Sequence, residues 1–511
     1  MPISNSLHPA SPLRIERAAF AALFALGVLV FGAAHLLFLA DVPGLHFDEA
    51  WSANLAADIA GGGPWRAQSA YTRPWAQYLA GFAFELFGTN LFAFRLVQVC
   101  SSMLGVALLG LAVWRAGFKK ATLALPLAAF ALPGLTANHR FAIEITGFHA
   151  LAFGALILGL ELRARKGPRQ GAYFLMGAGA ILGTTAHILF LAPLLGLFAA
   201  VVLSGTALLR SDRLFLLFLS LVLTPFFLAV AYQVPEQGKG WLLVVFGIAL
   251  FLWAALGARI PEWVREHEKR IVLALGIAAL PFLFNAVVFA DGHWTYLLTH
   301  GGLFIPYFAG LAAILAFLVV YRAWKNATAP PAARFWLRLT IFTTLASGAL
   351  MLKAAPRYFE VPLLLIAVTY AYGIAAFDPR RALVLGGLIA VLVGGLFWVN
   401  YLVPGRYGYS REREVKFLAF KDSSRDFLPK QALVGALAVR GCRLQNVRTN
   451  DSRVEEALRF LARGDWQIPD GAPACPGVRV ERVMGESAGE AEKANAHSAA
   501  NVGDFLVWSE N

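Results

Sequence analysis

The chain has 511 residues, of which 58% are hydrophobic and 15% charged, and its mean hydropathy is +0.62. Soluble proteins carry about 25% charged residues, so this composition excludes a soluble globular chain and indicates a polytopic membrane protein. The net charge of +13 does not signal nucleic acid: residues 402–511 hold 16 Lys/Arg against 15 Asp/Glu. The remaining basic excess lies mostly in short loops, where Lys and Arg set membrane orientation.

In chain order, Arg14 and Arg17 precede an apolar run at 18–40. The run exceeds a signal-peptide core of roughly 7–15 residues and lacks a convincing cleavage site, so a retained first helix with a cytoplasmic N-terminus is predicted. The next loop, 41–90, is long for a connector. In it "EAWSANLAADIA" sets Trp51, Leu55 and Ile59 on one helical face, and Trp75, Tyr78, Leu79, Phe82 and Leu86 repeat the pattern. Two amphipathic helices in the interface plane are predicted, separated by "GGGPWRAQSAYTRP".

Further apolar runs fall near 91–114, 121–137, 141–162, 171–186, 188–209, 214–232, 241–258, 271–290, 303–321, 337–352, 358–377 and 382–401, giving about thirteen spans. Residues 171–209 read as one broken helix or as two spans joined at Ala186-His187. An odd count puts the C-terminus outside. Loops such as "WRAGFKKA", "RARKGPRQ" and "RSDR" are basic, whereas "NHR", "YQVPEQGKG" and "KAAPRYFE" hold few cations, as this orientation requires.

Residues 402–511 have ordinary globular composition. "DSRVEEALRFLARG" predicts a helix with Ser452 and Glu455 in capping-box spacing and Gly464 as its stop. "CRLQNVRT", "VRVERV" and "DFLVW" predict short strands, with 484–500 loose. The expected organisation is a 1–401 transmembrane domain and a small α/β domain, 402–511, outside the membrane. Cys100 is expected to be a small core residue of the second span. Cys442 and Cys475 share the external tail, where an oxidising compartment permits a disulfide. No zinc spacing, phosphate loop or dinucleotide fingerprint occurs.

Asp48, Glu49, Arg66, Arg73, Arg140, Glu144, Lys353 and Arg357 all map to the outer side of this topology. Ionisable groups at such depth are costly and face a cavity or one another. Singly, each has a structural explanation. Asp48 caps a helix starting at Glu49, Arg73 snorkels to headgroups, and Arg140 pairs with Glu144. Together they describe an outward-opening cleft with two acidic sites and several cations. Such a cleft suits group transfer from a phosphate-linked donor. A carboxylate takes the acceptor's proton, and Lys or Arg stabilises the departing phosphate.

"HFDEAWSANLAADIA" followed by "YTRPWAQYLAGFAFELFGTNLFAFRL" resembles the opening of GT-C glycosyltransferases that use polyprenyl-phosphate sugars. These include protein O-mannosyltransferases, the aminoarabinose transferase of lipid A, and the RgtA/B/C/D-like galacturonic acid transferases. The matching landmarks are Asp48-Glu49, Arg73-Pro74, Phe87-Gly88 and Arg95. "NHRFAIEITGFHALAF" is similar to the family's second external loop, "GTTAHILFLAPLLGLFAAV" to its Thr-His helix through His187, and "KAAPRYFEVPLLLIA" to its late segment through Arg357, Tyr358 and Pro362.

The resemblance implies that Asp48 activates the acceptor, with Glu49 as its partner and Glu144 as the second acid. It implies that Arg73 grips the carrier phosphate, assisted by Arg357, Lys353 and Tyr358. Arg66, Arg140 and His187 would line the cleft, and Arg95 would tie the second span to the loop above. "TRPW" departs from the family's Lys-Pro-Pro, so Arg73 offers a planar fork instead of a point charge. Thr72 stands where the aminoarabinose enzymes carry an acid, which argues against that donor and against a metal held there.

The expected protein is thus a GT-C-like enzyme of the cytoplasmic membrane. It would move a sugar from undecaprenyl monophosphate to an envelope glycolipid, glycan or protein on the outer face, with inversion. Its partners are that donor, the acceptor and membrane lipids, not nucleic acid. No cofactor is implied, and a divalent cation stays open. The alternatives are a transporter or lipid flippase, which would need midplane charges and repeats, and an inactive scaffold whose tail binds an envelope partner.

Overall fold

The apolar runs of the first half fold as α-helices. The computed structural model describes residues 12–37, 39–40, 45–65, 74–130, 135, 146–164, 169–187, 190–203, 210–233, 239–256, 331–350, 427–428, 452–463, 478–482, 500–502 and 505–509, with isolated positions between 263 and 277 and between 361 and 371. The helices are α1 (Pro12–Leu36), α2 (Phe47–Ala60), α3 (Pro74–Phe87), α4 (Leu91–Arg115), α5 (Lys119–Phe130), α6 (Thr146–Ala164), α7 (Arg169–Ala186), α8 (Leu191–Leu203), α9 (Arg210–Gln233), α10 (Lys239–Leu256), α11 (Pro331–Leu350) and α12 (Ser452–Arg463). The strands are β1 (Leu45–His46), β2 (Phe427–Leu428), β3 (Val478–Arg482), β4 (Ala500–Val502) and β5 (Phe505–Ser509). The runs expected at 303–321 and 382–401, most of 271–290, "CRLQNVRT", Cys442 and Cys475 lie outside the described residues.

Among the described residues, stretches long and apolar enough to cross a membrane are Ala18–Leu36, Leu91–Arg115, Gly147–Ala164 and Ser211–Tyr232. Their outward rows are apolar: Leu23, Leu26 and Val30 on α1, and Leu214, Phe218 and Leu221 on α9, are each more than half exposed. Apolar surface of this extent suits lipid and not water. Cys100 belongs to this outer surface: it is exposed on α4, not in the core as expected.

Inside, small residues let the helices approach closely, the usual way apolar helices associate in lipid. On the α4–α6 seam Gly105 lies against the Ala150 backbone, and Gly147 lies against Gln98 and Ser102. α6 meets α7 through Gly159 against Ala172 and Gly179 against Ala152. Gly105→Leu is expected to wedge α4 from α6 and destabilise the protein by about 1–3 kcal/mol, seen as a lower unfolding midpoint in detergent. Gly171→Leu, where a side chain meets open space, is the control and should melt like the parent.

The question at 171–209 resolves as two helices. α7 ends at Ala186, His187 leaves the helix, and Phe190 N–H donates to the His187 carbonyl at 3.0 Å before α8 begins. α8 then packs on α11. At the opposite end of α6, Arg163 pairs with Asp212 of α9, and the Tyr173 hydroxyl of α7 donates to Asp212 Oδ1 at 2.8 Å. This network ties the lower ends of α6, α7 and α9.

The loop predicted to hold two interfacial helices does hold α2 and α3, packed on each other like a roof. Their buried faces are small: Ala50, Ala53 and Ala56 on α2, and Ala76, Ala80, Gly81 and Ala83 on α3. Apart from the buried Phe84, the large aromatic and aliphatic residues of α3, and Trp51 of α2, point away. Trp51, Trp75, Tyr78, Leu79, Phe82 and Leu86 are all exposed, as helices lying in an interface would have them. α2 ends in a Schellman turn, in which Gly63 N–H reaches the Asp58 carbonyl, Gly62 N–H reaches Ile59, and Gly62 adopts φ +82°.

"VRVERV" and "DFLVW" form strands of a three-stranded antiparallel sheet, ordered β3-β5-β4 with Val480 opposite Val507. α12 packs on α2, and β1 pairs antiparallel with β2. Val454, Ala457, Leu458, Phe460 and Leu461 of α12 share one core with Ala50, Ala53, Ala56, Phe84 and Phe94. That core crosses the boundary expected at residue 402.

Candidate functional site

The acidic pair sits at the start of α2, directly after β1. The helix begins at Phe47, so Asp48 lies in its first turn and not at its cap. An acid there faces the positive end of the helix dipole. Glu49 is fully buried, and its two carboxylate oxygens accept from Arg95 Nε and Nη2, each at 2.7 Å. Arg95, equally buried in the first turns of α4, also donates through Nη1 to the Leu39 carbonyl at 2.9 Å. A planar fork on a carboxylate is the most directional ion pair available to side chains. It joins the chain after α1, the start of α2 and the start of α4 at one point.

α4 is itself fixed there. Asn90 accepts from Ala93 N–H at 2.8 Å and donates to the Phe87 carbonyl at 2.8 Å, coupling the end of α3 to the start of α4. One turn below Arg95, Gln98 is buried against Gly147, and Ser102 donates back to the Gln98 carbonyl at 3.0 Å. On α6, His149 is 6% exposed. Its ring stands edge-on to His187 at 5.9 Å and lies 5.5 Å from Phe190. Phe148, Ala186 and Ala76 pack together, so the starts of α6 and α3 meet the end of α7.

Along the chain, Arg73 immediately precedes α3, Glu144 stands two residues before α6, and His187 directly follows α7. His187 is 2% exposed beside His149. Arg66, Arg73, Arg140, Glu144, Lys353, Arg357 and Tyr358 lie outside the described residues, as does the side chain of Asp48. Of the sequence-predicted residues, Glu49 and His187 are placed with their side chains, at two corners of the junction.

Sequence reasoning missed His149, Gln98 and Gln77. Gln77 is 1% exposed on α3, and among the described residues neither of its amide atoms has a hydrogen-bond partner. Leaving such a group unpaired costs about 1–3 kcal/mol, tolerable where a ligand supplies the missing bonds. Buried polar residues on otherwise apolar helices were the available signal. Among the described residues no group of three or more His, Cys, Asp or Glu is placed to hold a metal. A cavity of about 220 Å³, lined by Leu156, Met176, Phe198, Phe215, Trp253 and neighbours, lies instead towards the Arg163–Asp212 end. It is apart from this junction.

No protein-family model and no curated protein matches the sequence. Solved structures do match along nearly its whole length. The crystal structure of ArnT from Cupriavidus metallidurans bound to undecaprenyl phosphate has 14% identity and a TM-score of 0.53, and the match covers 96% of this chain and 98% of that one. The apo form of the same protein has 15% identity and a TM-score of 0.50, with 97% and 98% covered. The chain therefore shares the overall fold of these ArnT structures.

Proposed function

We propose that, on this fold, the protein is a membrane glycosyltransferase that moves a sugar from undecaprenyl monophosphate to an envelope glycolipid, glycan or protein. The observation that carries the reading is the buried Glu49–Arg95 fork, which pins the acid-bearing helix above the meeting point of α3, α4, α6 and α7. The undecaprenyl phosphate held by the structurally similar ArnT supports the choice of carrier.

In this mechanism Asp48 and Glu49 divide the work. Glu49 is committed to Arg95, which assigns the chemistry to Asp48. The Asp48 carboxylate takes the proton of the acceptor nucleophile as that atom bonds to the anomeric carbon. The anomeric carbon–oxygen bond breaks from the opposite face, and its electron pair leaves with the polyprenyl phosphate. Arg73, Arg357 and Lys353, with Tyr358, receive the growing phosphate charge. Glu144 is the second acid, while Arg66, Arg140 and His187 line the cleft. The same reading places about thirteen spans in the cytoplasmic membrane, the N-terminus inside, and the site and an α/β tail outside.

The purified chain in nanodiscs should release undecaprenyl phosphate from undecaprenyl-phosphate-linked sugars when an envelope lipid extract is added. Mass spectrometry of envelope glycolipids should show one hexose-sized or related mass lost in cells lacking the protein. No release together with an unchanged envelope would refute the assignment. Lipid flipping in liposomes without transfer would favour a transporter.

A further inference from the structure

Besides its packing on α3, the helix that carries Asp48 is held by three notable connections among the described residues. Upstream, Leu45 and His46 pair with Leu428 and Phe427. At the adjoining residue, Arg95 holds Glu49. Downstream, Asn54 Nδ2 donates to the Glu456 carbonyl at 2.8 Å and to Glu456 Oε2 at 2.7 Å. Arg463 donates to the Asn54 carbonyl at 3.2 Å and pairs with Asp58 at 2.7 Å. Two of these three connections come from the tail, and they bracket Asp48 on both sides along the chain.

The packing between them is of the same kind. The apolar residues α2 buries in the core shared with α12 are alanines, which lets the backbones approach, and the Asn54 side chain is 3% exposed within the contact. A 14-residue helix is marginal by itself in water, so the orientation of α2 depends on what it packs against. We propose that β2 and α12 of the tail are positioning parts of the active site, with Asn54–Glu456 and Asp58–Arg463 holding α2 so that Asp48 stays over the junction. This rests on the transferase reading above.

Stability and rate separate the idea from ordinary structural support. The Asp58–Arg463 pair is part-exposed, at 52% and 34%, and such pairs add little to stability. A displacement of about 1 Å in a reacting group, by contrast, costs about a hundredfold in rate. The experiment uses the full chain in nanodiscs, with Asn54→Ala and Arg463→Ala. Hydrogen exchange of the 47–60 amides should rise about tenfold or more while α4 and α6 are unchanged. Release of undecaprenyl phosphate from its sugar-linked form should fall about tenfold or more, with unchanged affinity for undecaprenyl phosphate itself. The reversed pair, Asp58→Arg with Arg463→Asp, should recover both readouts. Unchanged exchange in α2 overturns the proposal, and so does raised exchange with undiminished release. If the unaltered chain transfers no sugar, the transferase reading fails, and exchange in α2 alone decides whether the tail holds the helix.

Discussion

Asp48→Asn is expected to lower sugar transfer by about a hundred- to ten-thousand-fold, the range typical of a lost general base, while the protein folds and binds undecaprenyl phosphate as before. The amide keeps the size of the carboxylate and its place in the first turn of α2 but cannot take a proton. Glu49→Gln makes the contrast. It removes the charge that faces the fully buried Arg95, so it should lower the unfolding midpoint together with activity. Paired melting curves and release assays measure both. Full transfer by the Asp48→Asn protein would remove Asp48 from the mechanism.

The second large effect is on stability. Arg95→Met leaves the Glu49 carboxylate at zero exposure without its fork and removes the Arg95 donor from the Leu39 carbonyl. Breaking one side of a buried ion pair costs about 3–5 kcal/mol, whereas replacing both sides with apolar residues is often near neutral. Arg95→Met should therefore melt far below the parent in detergent, and Glu49→Leu combined with Arg95→Met should regain most of the loss. The double variant should still transfer sugar poorly, because an apolar contact lacks the directionality of the fork. Equal melting of Arg95→Met and the parent would show that the pair does not hold the junction.

Local features were legible before any coordinates. α1 and α4, the two roof helices, the break at His187, the α12 helix and two of the tail strands follow from apolar period, caps and turn residues. Orientation about the helix axis was harder to anticipate. In α2 and α3 the conspicuous residues, Trp51, Trp75 and Phe82, face outward, while alanine and glycine face the protein. In lipid, large apolar groups gain nothing by hiding, and close backbone approach favours small ones. The partners of Glu49 and Asn54 were invisible because they lie 46 and 402 residues away, and periodicity carries no information at that range. Arg95 was expected to tie the second span to the loop above, and it does so through Glu49.

The link between Asn54 and Glu456 also sets an order of events. At typical synthesis rates, 402 residues take about 20–80 s to make. For that interval the helix bearing Asp48 exists in the membrane without its closing contacts. A ribosome that stalls after α11 leaves a chain with its early spans inserted and its loop unfastened. A late helix, α12, fastens the first loop formed, so on the transferase reading competence awaits the synthesis of α12 and does not arrive with insertion of the early spans.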